Sequence, residues 1–432
     1  MSLAVTGSLV GGLAIGLRVE HGRIAEIGPD IRPAAGDQVL DGAGTALVRG
    51  LVNGHTHAAM TLFRGYGDDM PLIEWLEQRI WPAEAKLTDE DVYWGTRLAC
   101  VEMIRTGTIA FWDMYWRAGE TARAVADAGI RAVIGAPLID RGDVGSGGLR
   151  EAARAILDEV AATSAPERIS GALAPHAIYT VSAEGLGWVA ETAAERELPV
   201  HIHLSETESE VAECVAQNGV RPVPYLDGLG LLGPRTVLAH GVWVDEAELD
   251  LIAERGVTVV TNPVANMKLA VGGPFPYLEA RQRGVRVGLG TDGAGSNNSL
   301  DLLADAKHFA LIQKHAAGNP AAVTAEETWA IATGMRSPLL ATGGYLVPEV
   351  PGTEVPGTLF AAGEPADFLL VRADSPELTP GELIPNLVYA ASGSVVDTTV
   401  VAGRVLMRGG VVDGADEVRE QALAQARRLG VA

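Results

Sequence analysis

The 432-residue sequence predicts an α/β protein: a (β/α)8 barrel carrying a small β-sandwich domain formed from both chain termini. Short apolar runs alternate with helical, Ala- and Glu-rich stretches eight times between about residues 51 and 340. This alternation is the pattern of a closed barrel of parallel strands. Both ends of the chain have β texture instead, and 432 residues suffice for a barrel with an appended domain.

The barrel is expected over residues 51–356, with helices such as 89–107 and 148–162 between its strands. The eight strands are expected at residues 51–57, 109–114, 131–137, 169–176, 199–205, 236–241, 257–262 and 285–293. Residues 1–50 read as hairpin-rich β structure, and β texture returns after residue 357 before a short helix. Because chain termini often lie close together, residues 1–50 and 357–432 are predicted to form the β-sandwich domain.

The composition excludes several classes of protein. A net charge of −22 argues against a nucleic-acid partner, whose phosphates require a basic face. Cys100 and Cys214 are the only cysteines, so no disulfide framework is implied and a reducing compartment fits. The sequence has no basic signal-peptide region and no apolar run of membrane-spanning length. We therefore expect a cytoplasmic protein without a membrane partner, with homo-oligomerisation left open.

Polar side chains recur where the expected barrel strands end. The carboxyl ends of the strands of a (β/α)8 barrel meet at one rim, and enzymes with this fold have their active sites there. Imidazole and carboxylate ligands together suit Zn²⁺ or Fe²⁺, and a catalytic ion lowers the pKa of a water toward neutrality. The sequence therefore predicts a metal-dependent hydrolase. The strand-end residues are His55, His57, His176, His203, His240 and Asp292.

Two features of these strand ends need separate interpretation. His201 alternates with His203 in "HIHLSETE", but the spacing to Glu206 favours His203 as the ligand, which leaves His201 a packing or supporting role. The loop "GLGTDGAGSNNSL" contains G-x-G-x-x-G, a weak signal when isolated. Because Asp292 follows an apolar strand there, the loop fits a presented metal ligand better than a phosphate site.

Five segments resemble the metal-dependent amidohydrolase superfamily: "NGHTHAAMTLFRG", "HLSETE", "LAHGV", "TNPVANMKL" and "LGTDGAGSNNSL". More narrowly, they resemble the methylthioadenosine/S-adenosylhomocysteine deaminases of its chlorohydrolase-like branch. The resemblance spans nearly the whole chain, including the terminal segments "AGEPADFLLV" and "VVAGRVL".

The resemblance implies one divalent metal ion, zinc before iron, with the ligands His55, His57, His203 and Asp292. It also implies that Glu206 protonates the ring nitrogen next to the attacked carbon. His240 would orient and polarise the attacking hydroxide, and Asp292 would pass the water's proton to the departing amine. For the substrate, it implies that Trp75 packs against the 5′ substituent, Glu84 accepts the ribose hydroxyls and His176 contacts the nucleoside.

The sequence departs from the family pattern at two places. Arg49 stands where a proline usually precedes Gly50, and we expect this change to be structural. Ala136 replaces an arginine that binds the amino-acid end of S-adenosylhomocysteine, which puts that substrate in doubt. Arg141 and Arg150 are the two arginines that remain to replace it.

The expected activity is hydrolytic deamination of an adenine nucleoside, foremost 5′-methylthioadenosine, with S-adenosylhomocysteine or adenosine also open. The alternative is a deaminase or dechlorinase of another heterocycle, such as an aminodeoxyfutalosine-type nucleoside or an s-triazine. Glu84 discriminates between them, because a ribose requires this carboxylate and a triazine does not. A non-catalytic scaffold is disfavoured because the four ligands, Glu206 and His240 are all present.

Overall fold

The computed structural model of the chain describes residues 2–141, 145–342 and 360–432. The domain boundary expected at residues 356 and 357 lies outside these residues. The strands are β1 (Ser2–Val10), β2 (Leu13–Glu20), β3 (Arg23–Gly28), β4 (Gln38–Asp41), β5 (Thr45–Arg49), β6 (Leu51–Thr56), β7 (Thr108–Met114), β8 (Arg131–Gly135), β9 (Pro137–Leu138), β10 (Ile169–Gly171), β11 (Ala174–Pro175), β12 (Val200–Leu204), β13 (Thr236–His240), β14 (Thr258–Thr261), β15 (Arg286–Leu289), β16 (Phe368–Arg372), β17 (Val396–Val401) and β18 (Arg404–Met407).

The α-helices are α1 (Leu72–Trp75), α2 (Trp81–Glu84), α3 (Asp89–Arg105), α4 (Ala118–Ala128), α5 (Gly145–Ala161), α6 (Ala183–Arg196), α7 (Glu208–Asn218), α8 (Pro222–Gly228), α9 (Glu246–Arg255), α10 (Pro263–Lys268), α11 (Tyr277–Gln282), α12 (Leu302–Ala317), α13 (Ala325–Ala332), α14 (Leu339–Thr342), α15 (Leu383–Tyr389) and α16 (Ala415–Leu429). Two 3₁₀ helices span Ala58–Phe63 and Gly393–Val395, and a π-helical turn spans Leu76–Ile80. None of the helices in the described part of the chain is long and apolar enough to cross a membrane.

Eight parallel strand segments form the expected barrel. Strands β6, β7, β8 and β10 make one parallel sheet, and β12 to β15 make another. Bridges from Leu173 to Val200 and from Ala177 to His203 join the two sheets on one side. The backbone N–H of Asp292 donates to the carbonyl of His55 at 3.0 Å on the other side, where β15 meets β6. The predicted (β/α)8 architecture is therefore confirmed.

Two expected strands, the fourth and the eighth, depart most from their predicted bounds. The fourth, expected at 169–176, is interrupted between β10 and β11. There the N–H of Leu173 donates to the carbonyl of Pro199, and the carbonyl of Leu173 accepts from the N–H of His201. The eighth, expected to extend to residue 293, ends at Leu289. Asp292 has a left-handed backbone with φ of 61°, which a continuing strand does not allow. The shorter strand leaves the Asp292 carboxylate on a loop above the barrel.

Strands from both chain termini share one eight-stranded sheet. Its main path runs β18-β17-β16-β5-β1-β2-β3, and β4 pairs with β1. Strand β5 joins the two ends by pairing antiparallel with β16 and leads directly into β6 of the barrel. Arg49 at the end of β5 forms an ion pair of 3.0 Å with the buried Glu364. The sheet therefore anchors the start of the first barrel strand, which carries His55.

Candidate active site

The ends of the barrel strands bring the five expected metal-site side chains together. The Nε2 atoms of His55 and His57 lie 3.4 and 3.2 Å from Oδ1 of Asp292. Ligand atoms of His55, His203 and His240 also lie within 4.8 Å of one another. All of these side chains except His57 are nearly inaccessible to solvent. The geometry thus groups five residues that are up to 237 positions apart in the chain.

Backbone and amide acceptors fix which ring nitrogen of three histidines faces the centre. Nδ1 of His57 donates to the carbonyl of Met114 at 2.6 Å, and Nδ1 of His203 donates to that of His176 at 2.8 Å. Nδ1 of His240 donates to Oδ1 of Asn266 at 2.8 Å. An oxygen acceptor requires a proton on Nδ1, so Nε2 is the nitrogen of each ring that faces the centre and can bind a cation.

His201 supports His55 from outside the cluster of ligand atoms. Its Nε2 lies 2.9 Å from Nδ1 of His55, and the two rings are nearly perpendicular. This contact holds His55 with Nε2 directed at the centre, where that atom is buried and has no hydrogen-bond partner. The supporting role expected of His201 is therefore compatible with its position.

The cluster has the chemistry of a divalent-cation site. Burial lowers the pKa of His55 to about 3 and that of His203 well below its usual range, so both rings are neutral ligands at pH 7. Burial also opposes a charge on His57, but the hydrogen bond and charge of Asp292 raise its pKa to about 9. A bound cation would replace the second proton of the His57 ring and give the buried Nε2 of His55 a partner. The residues present therefore fit a divalent metal ion.

Left-handed backbone at strand ends aims the polar side chains. Ser205, His240 and Asp292 have φ of 51°, 75° and 61°, values that non-glycine residues adopt rarely. The Asp292 carboxylate accepts hydrogen bonds from Ser296 Oγ at 2.7 Å and from the N–H of Gly293 at 2.8 Å. These bonds fix the carboxylate against the two histidines.

Glu206 lies beside this cluster on a braced turn. Its Oε1 atom is 3.7 Å from Nδ1 of His240, and its side chain lines the pocket above the barrel. The carboxyl of Glu210 accepts hydrogen bonds from the N–H groups of Ser205 at 3.0 Å and Glu206 at 2.8 Å. Burial raises the pKa of Glu206, which favours its protonated form. The position of Glu206 beside the cluster and the direction of its pKa shift are those that a general acid requires.

One open pocket gathers eight of the nine expected site residues; His55 alone lies beneath its surface. The pocket has a cavity volume of about 140 Å³ and is open to solvent at its mouth. One face of the irregular helical segment 72–84 lines the pocket with Leu72, Trp75, Leu76, Ile80 and Glu84. His57, His176, His203, Glu206, His240 and Asp292 line it from the barrel.

Glu84 and His176 are the two polar residues expected to contact the nucleoside in this pocket. Burial raises the pKa of Glu84, while Tyr115 and Trp116 stabilise its charged form. Nδ1 of His176 lies 3.0 Å from Oγ1 of Thr180. Burial lowers the pKa of His176 to about 4, so its ring is neutral at pH 7. The pocket thus offers a carboxyl and a neutral imidazole to a ligand.

Neither expected replacement arginine lines the described pocket. Ala136 is buried at the end of the third strand. Arg150 pairs with Glu184 at 2.9 Å and lies over the ring of Trp188, away from the pocket. Arg141 bonds through Nε to the carbonyl of Val181 at 3.4 Å. The side chains that surround the ligand atoms therefore include no arginine in the part of the chain the structure describes.

Sequence reasoning missed several residues that hold the site in place. Asn266 and Ser296 lie inside quoted motifs, "TNPVANMKL" and "LGTDGAGSNNSL", and their side-chain types could have marked them as partners of His240 and Asp292. Glu210 follows Glu206 by four residues without a distinctive signal. Met114 acts through its carbonyl, which any residue would provide.

Comparisons with known proteins agree with this geometry. A model of the amidohydrolase family matches residues 46–334. The chain is 48% identical over 415 residues to a 5′-deoxyadenosine deaminase of Methanoregula boonei, covering 94% of this chain and 90% of the relative. It is 42% identical over 419 residues to a 5-methylthioadenosine/S-adenosylhomocysteine deaminase of Archaeoglobus fulgidus, covering 96% and 94%.

Solved structures give the same result. An adenosine deaminase from Xanthomonas campestris with bound zinc superposes with a TM-score of 0.88 at 33% identity, over 100% of this chain and 99% of that one. An atrazine chlorohydrolase from Arthrobacter aurescens has a TM-score of 0.86 at 20% identity over the full length of both chains, which supports the fold alone. The resemblance drawn from the sequence motifs is confirmed: the chain belongs to the amidohydrolase family.

Proposed function

We propose that this protein is a hydrolytic deaminase of adenine nucleosides that carry a small, uncharged 5′ group, 5′-methylthioadenosine or 5′-deoxyadenosine. The observation that carries the proposal is the single pocket in which Glu206, His240 and Asp292 face Trp75 and Glu84. Relatives at 41–48% identity are named 5′-deoxyadenosine deaminase or methylthioadenosine/S-adenosylhomocysteine deaminase, which supports this substrate class.

The chemistry requires one divalent metal ion, and zinc is our proposal because the ligand set is three imidazoles and one carboxylate. His55, His57, His203 and Asp292 would hold this ion. When bound, the ion supplies a Lewis acid that lowers the pKa of a water toward neutrality.

The protein's own residues move the protons. Asp292 accepts a proton from the water that attacks C6 of the adenine ring, while His240 orients that water. Glu206, whose protonated form burial favours, donates its proton to the adjacent ring nitrogen N1. Asp292 then gives its proton to the amino group, the C6–N bond breaks and ammonia leaves. Release of the hydroxyl proton as the C6 carbonyl forms restores protonated Glu206 and an inosine-type product.

The substrate side of the pocket selects a ribose with an uncharged 5′ end. Glu84 would accept the ribose hydroxyls, and a site built to bond a hydroxyl rejects analogues that lack it, by roughly 10⁴-fold in good cases. Ala136 leaves a substrate carboxylate without a charged partner at this position. The missing charge-assisted hydrogen bond would be worth about 1.5–3 kcal/mol. That free energy corresponds to about 10- to 100-fold in kcat/KM.

A steady-state panel tests the proposal. The metal-loaded enzyme is assayed with 5′-methylthioadenosine, 5′-deoxyadenosine, adenosine, S-adenosylhomocysteine and free adenine, following the absorbance change from adenine to hypoxanthine. We expect the two small 5′ groups to give the highest kcat/KM and adenine to be the poorest substrate. A clear preference for S-adenosylhomocysteine would refute the ranking, and turnover of free adenine at a similar kcat/KM would refute the role of Glu84.

A further inference from the structure

A second cavity adjoins the nucleoside pocket and shares a wall with it. Four side chains border both cavities: Trp81, Glu84, Trp116 and Ile139. In a ribose, C4′ joins the carbon that bears the 3′ hydroxyl to the carbon that bears the 5′ substituent. Because Glu84 borders both cavities, a ribose held at Glu84 can extend a long 5′ substituent into the second cavity. This step rests on the proposed function.

The described lining of the second cavity is apolar except for Glu84 and Arg117; its other members are Trp81, Ala85, Leu87, Trp116 and Ile139. Arg117 is the one basic side chain in this described lining. In a cavity that receives the 5′ end of a nucleoside, an arginine would be the expected partner of a substrate carboxylate.

The chain itself occupies this arginine. Nη1 of Arg117 forms an ion pair with the carboxylate of Asp89, and Nη2 donates to the carbonyl of Leu87 at 2.8 Å. Asp89 is the first residue of α3, and Arg117 directly precedes α4 with a left-handed φ of 57°. Both terminal nitrogens of the guanidinium are thus engaged by groups of the chain itself.

We propose that the Asp89–Arg117 pair determines which 5′ substituents the second cavity admits. Indole, isoleucine and leucine walls accept an extended uncharged thioether, so length alone does not exclude a substrate. A 5′ carboxylate meets an arginine that already has a carboxylate partner, and Asp89 repels it. Selectivity against anionic nucleosides then arises from a repulsive group and not from the absence of an arginine alone.

A matched pair of substrates tests this assignment: 5′-(2-carboxyethylthio)-5′-deoxyadenosine and its carboxamide, which have the same length and shape. The readout is the ratio of kcat/KM for carboxylate over carboxamide. We expect the wild type to prefer the carboxamide. Asp89→Asn and Asp89→Ser each free Arg117 and should raise the ratio by about tenfold, the size of one partly exposed charge-assisted hydrogen bond. Adding Arg117→Gln to either variant should remove most of the gain.

The control is Glu120→Gln, which removes an exposed carboxylate from its pair with Arg123 on α4 and should leave the ratio unchanged. An unchanged ratio in both Asp89 variants, with the carboxamide still deaminated, would overturn the inference. A wild type that prefers the carboxylate would overturn it too. Absence of deamination of both compounds and of 5′-methylthioadenosine by the wild type would instead refute the proposed function and the inference with it.

Discussion

Burial and charge separate the proton affinities of two carboxyls in the pocket. Burial raises the pKa of Glu206. Burial would also raise that of Asp292, but the proximity of His55 and His57 outweighs it and holds this pKa well below its usual range. A pair of carboxyls whose pKa values are shifted in opposite directions commonly provides the acid and the base of one active site. We therefore assign the acid to Glu206 and the base to Asp292.

Glu206→Gln should retain the metal and lose most of its activity. The glutamine cannot donate a proton to N1, and a positioned general acid contributes typically about 10²–10⁴-fold to kcat. The ligand atoms that converge in the described residues belong to other side chains, so metal binding should persist. The measurement is kcat together with metal content per chain. Glu208→Gln, which removes an exposed carboxylate from the first turn of α7, is the matched control. Near-wild-type turnover by Glu206→Gln would disprove the role.

Individual residues show how far the sequence predicts such a site. His55, His57 and His203 could be found because they follow apolar runs at strand ends, and the structure brings them together. Their supports could not be found in the same way. The carbonyls of Met114 and His176 orient two of the rings, and a carbonyl leaves no signature in residue type. Left-handed φ at His240 is equally invisible, because it depends on contacts distant in sequence.

At the scale of elements, the loop after β15 is tied to two helices. Asp305 on α12 accepts hydrogen bonds from the N–H of Val264 on α10 at 3.2 Å and from Nδ2 of Asn297 at 3.0 Å. Asn297 donates in turn to the carbonyl of Thr291 at 2.7 Å, next to Asp292. The alternation of strands and helices implies a helix after each strand, but it does not predict these hydrogen bonds between side chains.

Asp305 should make the protein less stable as pH rises. Burial raises its pKa to about 8, whereas an unfolded aspartate titrates near 4. Between those values the unfolded state loses the proton that the folded state keeps, so the free energy of unfolding falls by about 1.4 kcal/mol per pH unit. Asp305→Asn should flatten that slope between pH 5 and 8 in denaturant titrations. Asp416→Asn, at an exposed carboxylate, should leave it unchanged. Equal slopes for Asp305→Asn and the wild type would contradict the assignment.

At the scale of the whole molecule, the alternation of strands and helices was sufficient to predict the barrel, because each unit repeats the same local pattern. Strand β5 joins the two terminal segments in one sheet, because it pairs with β16 and continues into β6. The interruption of the fourth strand was not predictable, since it arises from a change of hydrogen-bond partner at Leu173. Local periodicity thus predicts architecture, whereas exact strand ends depend on closure of the barrel.

The molecule should bind one metal ion per chain. Many binuclear members of the superfamily bridge their ions with a carboxylated lysine at the end of the fourth strand, where this sequence has His176. No lysine occurs between Lys86 and Lys268. The two groups of ligand atoms found in the described residues share His55 and so describe one centre. Metal analysis of the desalted protein should return one ion, and two tightly bound ions would contradict a mononuclear site.

Product analysis of 5′-methylthioadenosine turned over by the metal-loaded wild type tests the central claim most directly. The account predicts one equivalent of ammonia for each 5′-methylthioinosine formed, with no free adenine, because the pocket directs a water to C6 and leaves the glycosidic bond alone. Recovery of unchanged nucleoside from folded, metal-loaded protein would contradict the account, as would release of adenine without ammonia.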